Sequence, residues 1–314
     1  MKTLAVYAWF PTGEVRQISP PVGHYLQPSI HPDGTHAVYW GGGIGSAGVW
    51  RTNLATFRTE RITSMASGSW QPSYGAGSGD EVVLASDRFG EGRAEDMDEL
   101  VERIEEGGEP RLNESEPRGE YGRGGDGLQS HIFLASADGK RWRGLTSGPY
   151  RDECPALSPG GDRVAFVSDR PGAASAGTDS SAGGLWVAPT AEDAREDPSP
   201  VVTDVPTDSP CWSPDGASIY FAATIDDVSR LGVVAVESEA WRWLDVEEAA
   251  SLEHPSVDPG GESLLAHSAG EAPALVEVPL EGGPARSMQP PGFDVALQAS
   301  RSDDGAVVFS APGD

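Results

Sequence analysis

Lysine is nearly absent, at 2 residues in 314 against 20 arginines, and all basic residues together number 22 against 49 acidic ones, a formal net charge of -27. A surface so short of positive charge repels phosphate backbones and anionic bilayers, which argues against nucleic acid and membrane as partners. Cationic peptides, metal ions or a basic protein suit it better. Cysteine is almost missing as well: Cys154 and Cys211 alone cannot make a disulfide framework. No apolar run is long enough to read as a membrane span. Met1 and Lys2 lead straight into a strand-like stretch with no room for a signal peptide, so the expectation is a cytoplasmic protein. No G-x-S-x-G occurs and no strand pattern alternates with a helical one, which removes an α/β-hydrolase and its Ser-His-Asp machinery. The preference for Arg over Lys, with abundant Ala and Gly, suggests a high-GC bacterial source.

Repetition is what the chain has. "LQPSIHPDG" at 26–34 returns as "PCWSPDG" at 210–216, "CPALSPGGDRVAFVSDR" from Cys154, "HPSVDPGGESLLAHS" from His254 and "LQASRSDDGAVVFSA" from Leu297, with a looser copy, "WQPSYGAGSGDEVVLASDR", from Trp70. The first proline of each copy is Pro28, Pro72, Pro155, Pro210 and Pro255, with Ala299 in the sixth place, so the spacings are 44, 83, 55, 45 and 44. A unit near 44 residues is the length of a four-stranded propeller blade. The two long spacings predict an acidic insertion over 91–129 in blade two and a loop insertion over 171–182 in blade three, both rich in Gly, Ser and charge. The first holds 13 carboxylates and 5 arginines and includes "AEDMDELVERIEE" at helical spacing, which suits a channel lid, a docking arm or a solvated excursion.

After each Pro-Asp-Gly turn come a short apolar run ("HAVYW", "RVAFVS", "SIYFAA"), a third strand ("GVWRTNL", "GLWVAPT", "GVVAVES") and a polar fourth. The sixth copy stops after two strands, while residues 3–19 match the third and fourth strands of a unit. The prediction is an all-β, single-domain, six-bladed β-propeller over 1–314, closed by two strands from each terminus, which would leave no open sheet edge.

These repeats, "LSPGGDRVAFVSDR" and "WSPDGASIYFAAT" above all, resemble the TolB-type propeller repeat, found in the six-bladed domain of TolB and in the propellers preceding the hydrolase domain of prolyl oligopeptidase and acylaminoacyl peptidase relatives. The resemblance implies a fold and leaves the function open. It supplies no catalytic residue here, because the hydrolase half is absent.

Candidate site residues come from equivalent positions around the predicted ring. The residue before each repeat proline is Gln27, Gln71, Cys154, Ser209, His254 and, in the sixth copy, Gln298. Just upstream lie Asp152, Glu153, Asp208 and Glu253 in blades three to five, and Tyr25 and Trp70 in blades one and two. If the mouth lies where the innermost strands begin, it is acidic on one side and aromatic on the other, suited to a cationic or peptide-like ligand. The leading expectation is a non-enzymatic propeller that binds a peptide or protein partner. The alternative is an enzyme, a metal-dependent or His-assisted lyase or hydrolase, with His254 acting on Cys154 or Ser209. No cofactor is required; calcium held by Asp152, Glu153, Asp208 and Glu253 is the chemically easier metal site. A ring of Gln27, Gln71, His254 and Gln298 is weakly similar to the axial metal site of oligogalacturonate lyases, whose metal is held by several His and a Gln. The "SDR" at 86–88 and again at 168–170 is expected to form a structural ion pair between blades, and Trp50, Trp186 and Trp212 to pack between them.

Overall fold

The computed structural model describes residues 3–42, 48–63, 69–75, 81–86, 130–136, 138–173, 183–191, 197–226, 228–247, 251–269 and 274–313. The 91–129 insertion, the first "SDR" beyond Ser86 and most of the 171–182 insertion lie outside these residues.

All regular structure among them is strand. In chain order these are β1 (Leu4–Trp9), β2 (Val15–Gln17), β3 (His24–Ile30), β4 (His36–Gly42), β5 (Gly48–Asn53), β6 (Thr59–Arg61), β7 (Ser69–Tyr74), β8 (Glu81–Ser86), β9 (His131–Ser136), β10 (Trp142–Gly144), β11 (Asp152–Leu157), β12 (Arg163–Ser168), β13 (Gly183–Pro189) and β14 (Ser199–Trp212). There follow β15 (Ser218–Ile225), β16 (Val228–Ala235), β17 (Ala240–Trp243), β18 (Val246–Glu247), β19 (Ser251–Val257), β20 (Ser263–Ala269), β21 (Ala274–Pro279), β22 (Gly283–Pro284), β23 (Arg286–Ser287), β24 (Leu297–Arg301) and β25 (Val307–Pro312).

The larger sheets are antiparallel, in the orders β3-β4-β5-β6, β10-β9-β8-β7, β11 through β17 in sequence, and β19-β20-β21-β23. A further sheet, β2-β1-β25-β24, takes two strands from each end of the chain, with Leu4 opposite Pro312 and Trp9 opposite Val307. In the seven-stranded sheet β14 serves twice. Its first residues pair with β13 (Leu185 opposite Val202), and its last pair with β15 (Trp212 opposite Ile219).

The continuous apolar runs are explained by the period of a strand, which sends successive side chains to opposite faces. On β8, Val82 and Leu84 pack with Val38 and Val49 of the preceding sheet, while Val83 and Ala85 pack with Phe166 and Trp186 of the next. On β25, Val308 packs with Tyr25 and Tyr39, and Phe309 with Leu265 and Leu275. Both faces of these sheets are buried against another sheet, and each fully buried Phe or Leu contributes roughly 1.5–3 kcal/mol. Trp186 sits in one such layer, and Trp212 donates its indole N–H to the Ala156 carbonyl of the neighbouring inner strand at 2.9 Å.

The "SDR" ion pair differs from its expectation. Arg170 Nη2 meets Asp152 Oδ2 at 2.8 Å, and Ser168 Oγ donates to Asp152 Oδ1 at 2.7 Å. Asp152 lies directly opposite Ser168 in the same sheet, so the pair locks β11 to the end of β12 rather than joining two blades. The guanidinium is roofed by the Tyr150 ring, 4.4 Å from its centroid.

Candidate functional site

The turns that end the inner strands orient the site. In "SPDG" the Gly216 N–H donates to the Ser213 carbonyl at 2.9 Å, with Gly216 at φ 69°, a left-handed conformation open to glycine at no steric cost. Asp215 Oδ1 accepts from Ser213 Oγ at 2.6 Å and from the Ala217 N–H at 3.0 Å, so Ser, Asp and Gly each have a bond or an angle to supply.

One step upstream of each repeat proline the backbone does something costlier. Gln27, Gln71, Cys154, Ser209 and His254 have φ of 55°, 53°, 50°, 48° and 51°. A left-handed L-residue costs about 1–2 kcal/mol. Each sits with its proline in a bulge where two residues face one on the partner strand: Gln27 and Pro28 fall between the paired positions Leu26 and Ser29, and Cys154 and Pro155 between Glu153 and Ala156. A bulge re-aims a side chain and frees its backbone N–H from the ladder. In the sixth copy Gln298 is itself the extra residue, between Leu297 and Ala299.

The freed groups and turned side chains form one relay. The Cys154 N–H donates to Gln71 Oε1 at 2.7 Å, and Gln71 Nε2 lies 3.2 Å from Cys154 Sγ. Cys154 Sγ donates to Asp208 Oδ1 at 3.0 Å, which also accepts the Ser209 N–H at 2.6 Å. Ser209 Oγ lies 2.9 Å from His254 Nδ1, and His254 Nε2 lies 3.4 Å from Gln298 Nε2. Gln298 Oε1 then accepts the Gln27 N–H at 2.8 Å. The relay runs from Gln71 to Gln27 and is interrupted between those two.

Its polarity follows from the backbone donors at its ends, since a backbone N–H can only donate. Gln298 has its oxygen on Gln27, so its NH2 faces His254 and donates to Nε2. A neutral imidazole accepting at Nε2 carries its proton on Nδ1 and gives it to Ser209 Oγ. His254 and Ser209 are therefore in contact, but with His254 as the donor, opposite to a base that withdraws the serine proton. The Cys154 thiol is held well above its usual range by burial first and by the Asp208 charge second, and burial pushes Cys211 up to about 12. Both are thiols at neutral pH.

All six ring residues line a cavity of about 560 Å³. Its wall continues along the inner strands through Ser29, Tyr74, Ala156, Trp212, Ser256 and Ser300 to the prolines of the turns, Pro32, Pro159, Pro214 and Pro259. It thus extends toward the strands' C-terminal ends, not toward their beginnings as the sequence led us to expect. Of the four upstream carboxylates it receives only Asp208. Asp152 is fully buried against Arg170, and Glu153 is clamped by Arg151 (Nε to Oε1, 2.8 Å; Nη2 to Oε2, 3.1 Å), its carboxyl pushed up by burial against the pull of that arginine. Glu253 turns toward His267, Oε2 to Nδ1 3.8 Å. Tyr25 is buried under Tyr39 and Trp50, and its hydroxyl donates to the Val22 carbonyl. The Trp70 side chain lies outside the description. Among the described residues no three His, Cys, Asp or Glu side chains group as a metal ligand set, so the four calcium candidates are not brought together.

Residues not anticipated complete the wall. Arg301 lines it while donating through Nη1 to Asp258 Oδ1 and Glu277 Oε1, both at 2.9 Å. Ser29 and Ser300, which follow the proline position, reach the next inner strand: Ser300 Oγ accepts the Ile30 N–H at 3.3 Å and Ser29 Oγ the Tyr74 N–H at 3.1 Å. The signal was the serine of the repeated "QPS".

Twisted antiparallel sheets packed face to face around an axial cavity define a β-propeller. No protein-family model matches the chain, and no curated protein matches it in sequence. Among solved structures it is similar to a TolB from Agrobacterium tumefaciens (TM-score 0.68, 13% identity, covering 99% of this chain and 98% of that one). It is similar also to TolB from Acinetobacter baumannii (0.57, 11%, 99% and 64%) and to oligogalacturonate lyase from Vibrio parahaemolyticus (0.53, 11%, 95% and 80%). The fold is that of a TolB-type propeller; at these identities the likeness concerns fold alone.

Proposed function

We propose that the chain is a six-bladed propeller, closed by β1 and β2 against β24 and β25, that binds a peptide segment of a protein partner in its axial cavity without catalysis. The observation that carries this is the relay: five strained residues turn polar side chains onto one cavity, and the chemistry they present is that of fixed hydrogen-bonding groups. Strain of this kind persists where the surroundings over-determine it, commonly at ligand sites. The cavity volume suits an extended segment and lies within the range of small-molecule pockets. The sheet order at the termini and the paired apolar layers support closure. The formal charge of -27 favours a cationic segment, drawn in faster at low salt.

The test is a peptide-display selection on the wild type and on Ser256→Trp, which fills the cavity from a position making no side-chain hydrogen bond among the described residues. Basic sequences that bind the wild type, lose at least tenfold on Ser256→Trp and weaken with salt are the expected result. A selection that enriches nothing, or sequences that bind both proteins alike, rejects the reading.

A further inference from the structure

The relay's polarity fixes which hydrogen-bonding groups remain for a ligand. Ser209 Oγ accepts from His254, so its own proton is unspent. Asp208 takes both of its bonds on Oδ1, from Cys154 Sγ and the Ser209 N–H, and Oδ2 has no hydrogen-bond partner among the described residues. Gln27 gives its backbone N–H to Gln298, while its side-chain amide makes no hydrogen bond among the described residues. All three residues line the cavity. The wall therefore offers an anionic acceptor and a hydroxyl donor on adjacent residues, and a two-way amide where the relay is interrupted.

We propose that the cavity captures the free N-terminus of a peptide chain: its α-ammonium at Asp208, its first carbonyl oxygen at the Ser209 hydroxyl, and a following peptide group at Gln27. This rests on the peptide-binding reading above and specifies the part of the peptide that is read. The choice follows from the pairing of groups. A lysine ammonium or an arginine guanidinium satisfies Asp208 but brings no acceptor beside it for Ser209, whereas an α-aminoacyl unit has its carbonyl oxygen three bonds from the nitrogen. Of the other carboxylates on the wall, Asp258 is taken up by Arg301, and Asp303, in the turn after β24, lacks the Ser209 hydroxyl that stands next to Asp208. The relay also orients the site. With His254 filling one acceptor position of Ser209 Oγ, the hydroxyl proton is the group of that side chain left to point at a ligand.

Two synthetic random hexapeptide pools test this, one with a free N-terminus and one N-acetylated, both C-terminally amidated and both containing free lysine and arginine side chains. Each is equilibrated with the full chain, and retained peptides are quantified by mass spectrometry. Retention of the free pool at least tenfold above the acetylated pool is expected. Ser209→Ala and Asp208→Asn, checked for unchanged melting, should each lose most of that preference. Equal retention of the two pools would overturn N-terminal capture while leaving peptide binding intact. Retention of neither would overturn both. A preference that survives in a folded Ser209→Ala would show that the amine is read without its carbonyl, and the proposed geometry would fail.

Discussion

At the residue before each repeat proline, φ near +50° in a bulge decides which side chains reach the axis. The equivalence of Gln27, Gln71, Cys154, Ser209 and His254 could be read from the repeat, and they do share one cavity. Asp152 was misplaced because side chains two apart on a plain strand share a face. With the intervening bulge and a left-handed residue, Asp152 and Cys154 part company, and nothing in local sequence announces φ near +50° at a residue before proline, a position usually held extended. Polarity was equally hidden, since it depends on backbone donors from other sheets. At this scale His267 gives a testable dependence on pH. Burial depresses its folded pKa below the ordinary 6.5, with Glu253 pulling the other way. Its contribution to stability is therefore fully present above 6.5 and is lost as pH falls through the depressed value, because the unfolded chain takes up the proton more readily. Chemical denaturation at pH 7.5 and 5 should show the wild type losing more stability on acidification than His267→Gln; equal losses would contradict this.

Strands were the most legible elements, because apolar runs bounded by Gly and Pro have few alternatives. β14 was not, since Pro200, Pro206 and Pro210 punctuate it and prolines read as strand breaks. The backbone runs through because residues 203–206 form an irregularity within the ladder to β13, between Val202 opposite Leu185 and Thr207 opposite Gly183, and Pro210 lies in the bulge between Asp208 and Cys211. The buried Asp152–Arg170 pair makes its prediction at this scale. Arg170→Met leaves Asp152 a buried carboxylate without its guanidinium, with only the Ser168 hydroxyl and the His131 ring (Nδ1 3.7 Å away) beside it, and should cost about 3–5 kcal/mol, whereas Asp152→Leu with Arg170→Met should recover most of it. Urea denaturation midpoints of the two variants decide the matter. If the single and double variants were equally destabilised, the pair would be acting through packing and not through charge.

For the whole molecule, the period of about 44 residues pointed to the architecture, and the residue-by-residue pairing of β1 with β25 shows where the ends of the chain meet. What sequence could not provide was the direction in which the cavity extends, which depends on which end of each inner strand carries the bulge. Removal of residues 1–19 should uncover the edge of β25 and the apolar faces that Val6, Tyr7 and Ala8 cover, giving aggregation. A permutant joining Asp314 to Met1 through a short Gly-Ser linker and opened within 91–129 should remain monodisperse. Size-exclusion chromatography and thermal melting distinguish these outcomes, and a deletion variant that melts cooperatively at the wild-type temperature would refute the closure.

The shared strand β14 bears on how such a molecule can yield. Where neighbouring sheets are joined by a loop, each can tilt on its connection; here a single extended segment is bonded at one end to β13 and at the other to β15, with Thr207 Oγ1 additionally fastened to the Gly183 carbonyl. It works as a beam running from the periphery to the axis, and the two halves of the seven-stranded sheet on either side of it must move as one body. Any loosening that admits or releases a chain along the axis is thereby directed to other joints, and the natural one is the interval between Gln27 and Gln71, where no relay bond crosses.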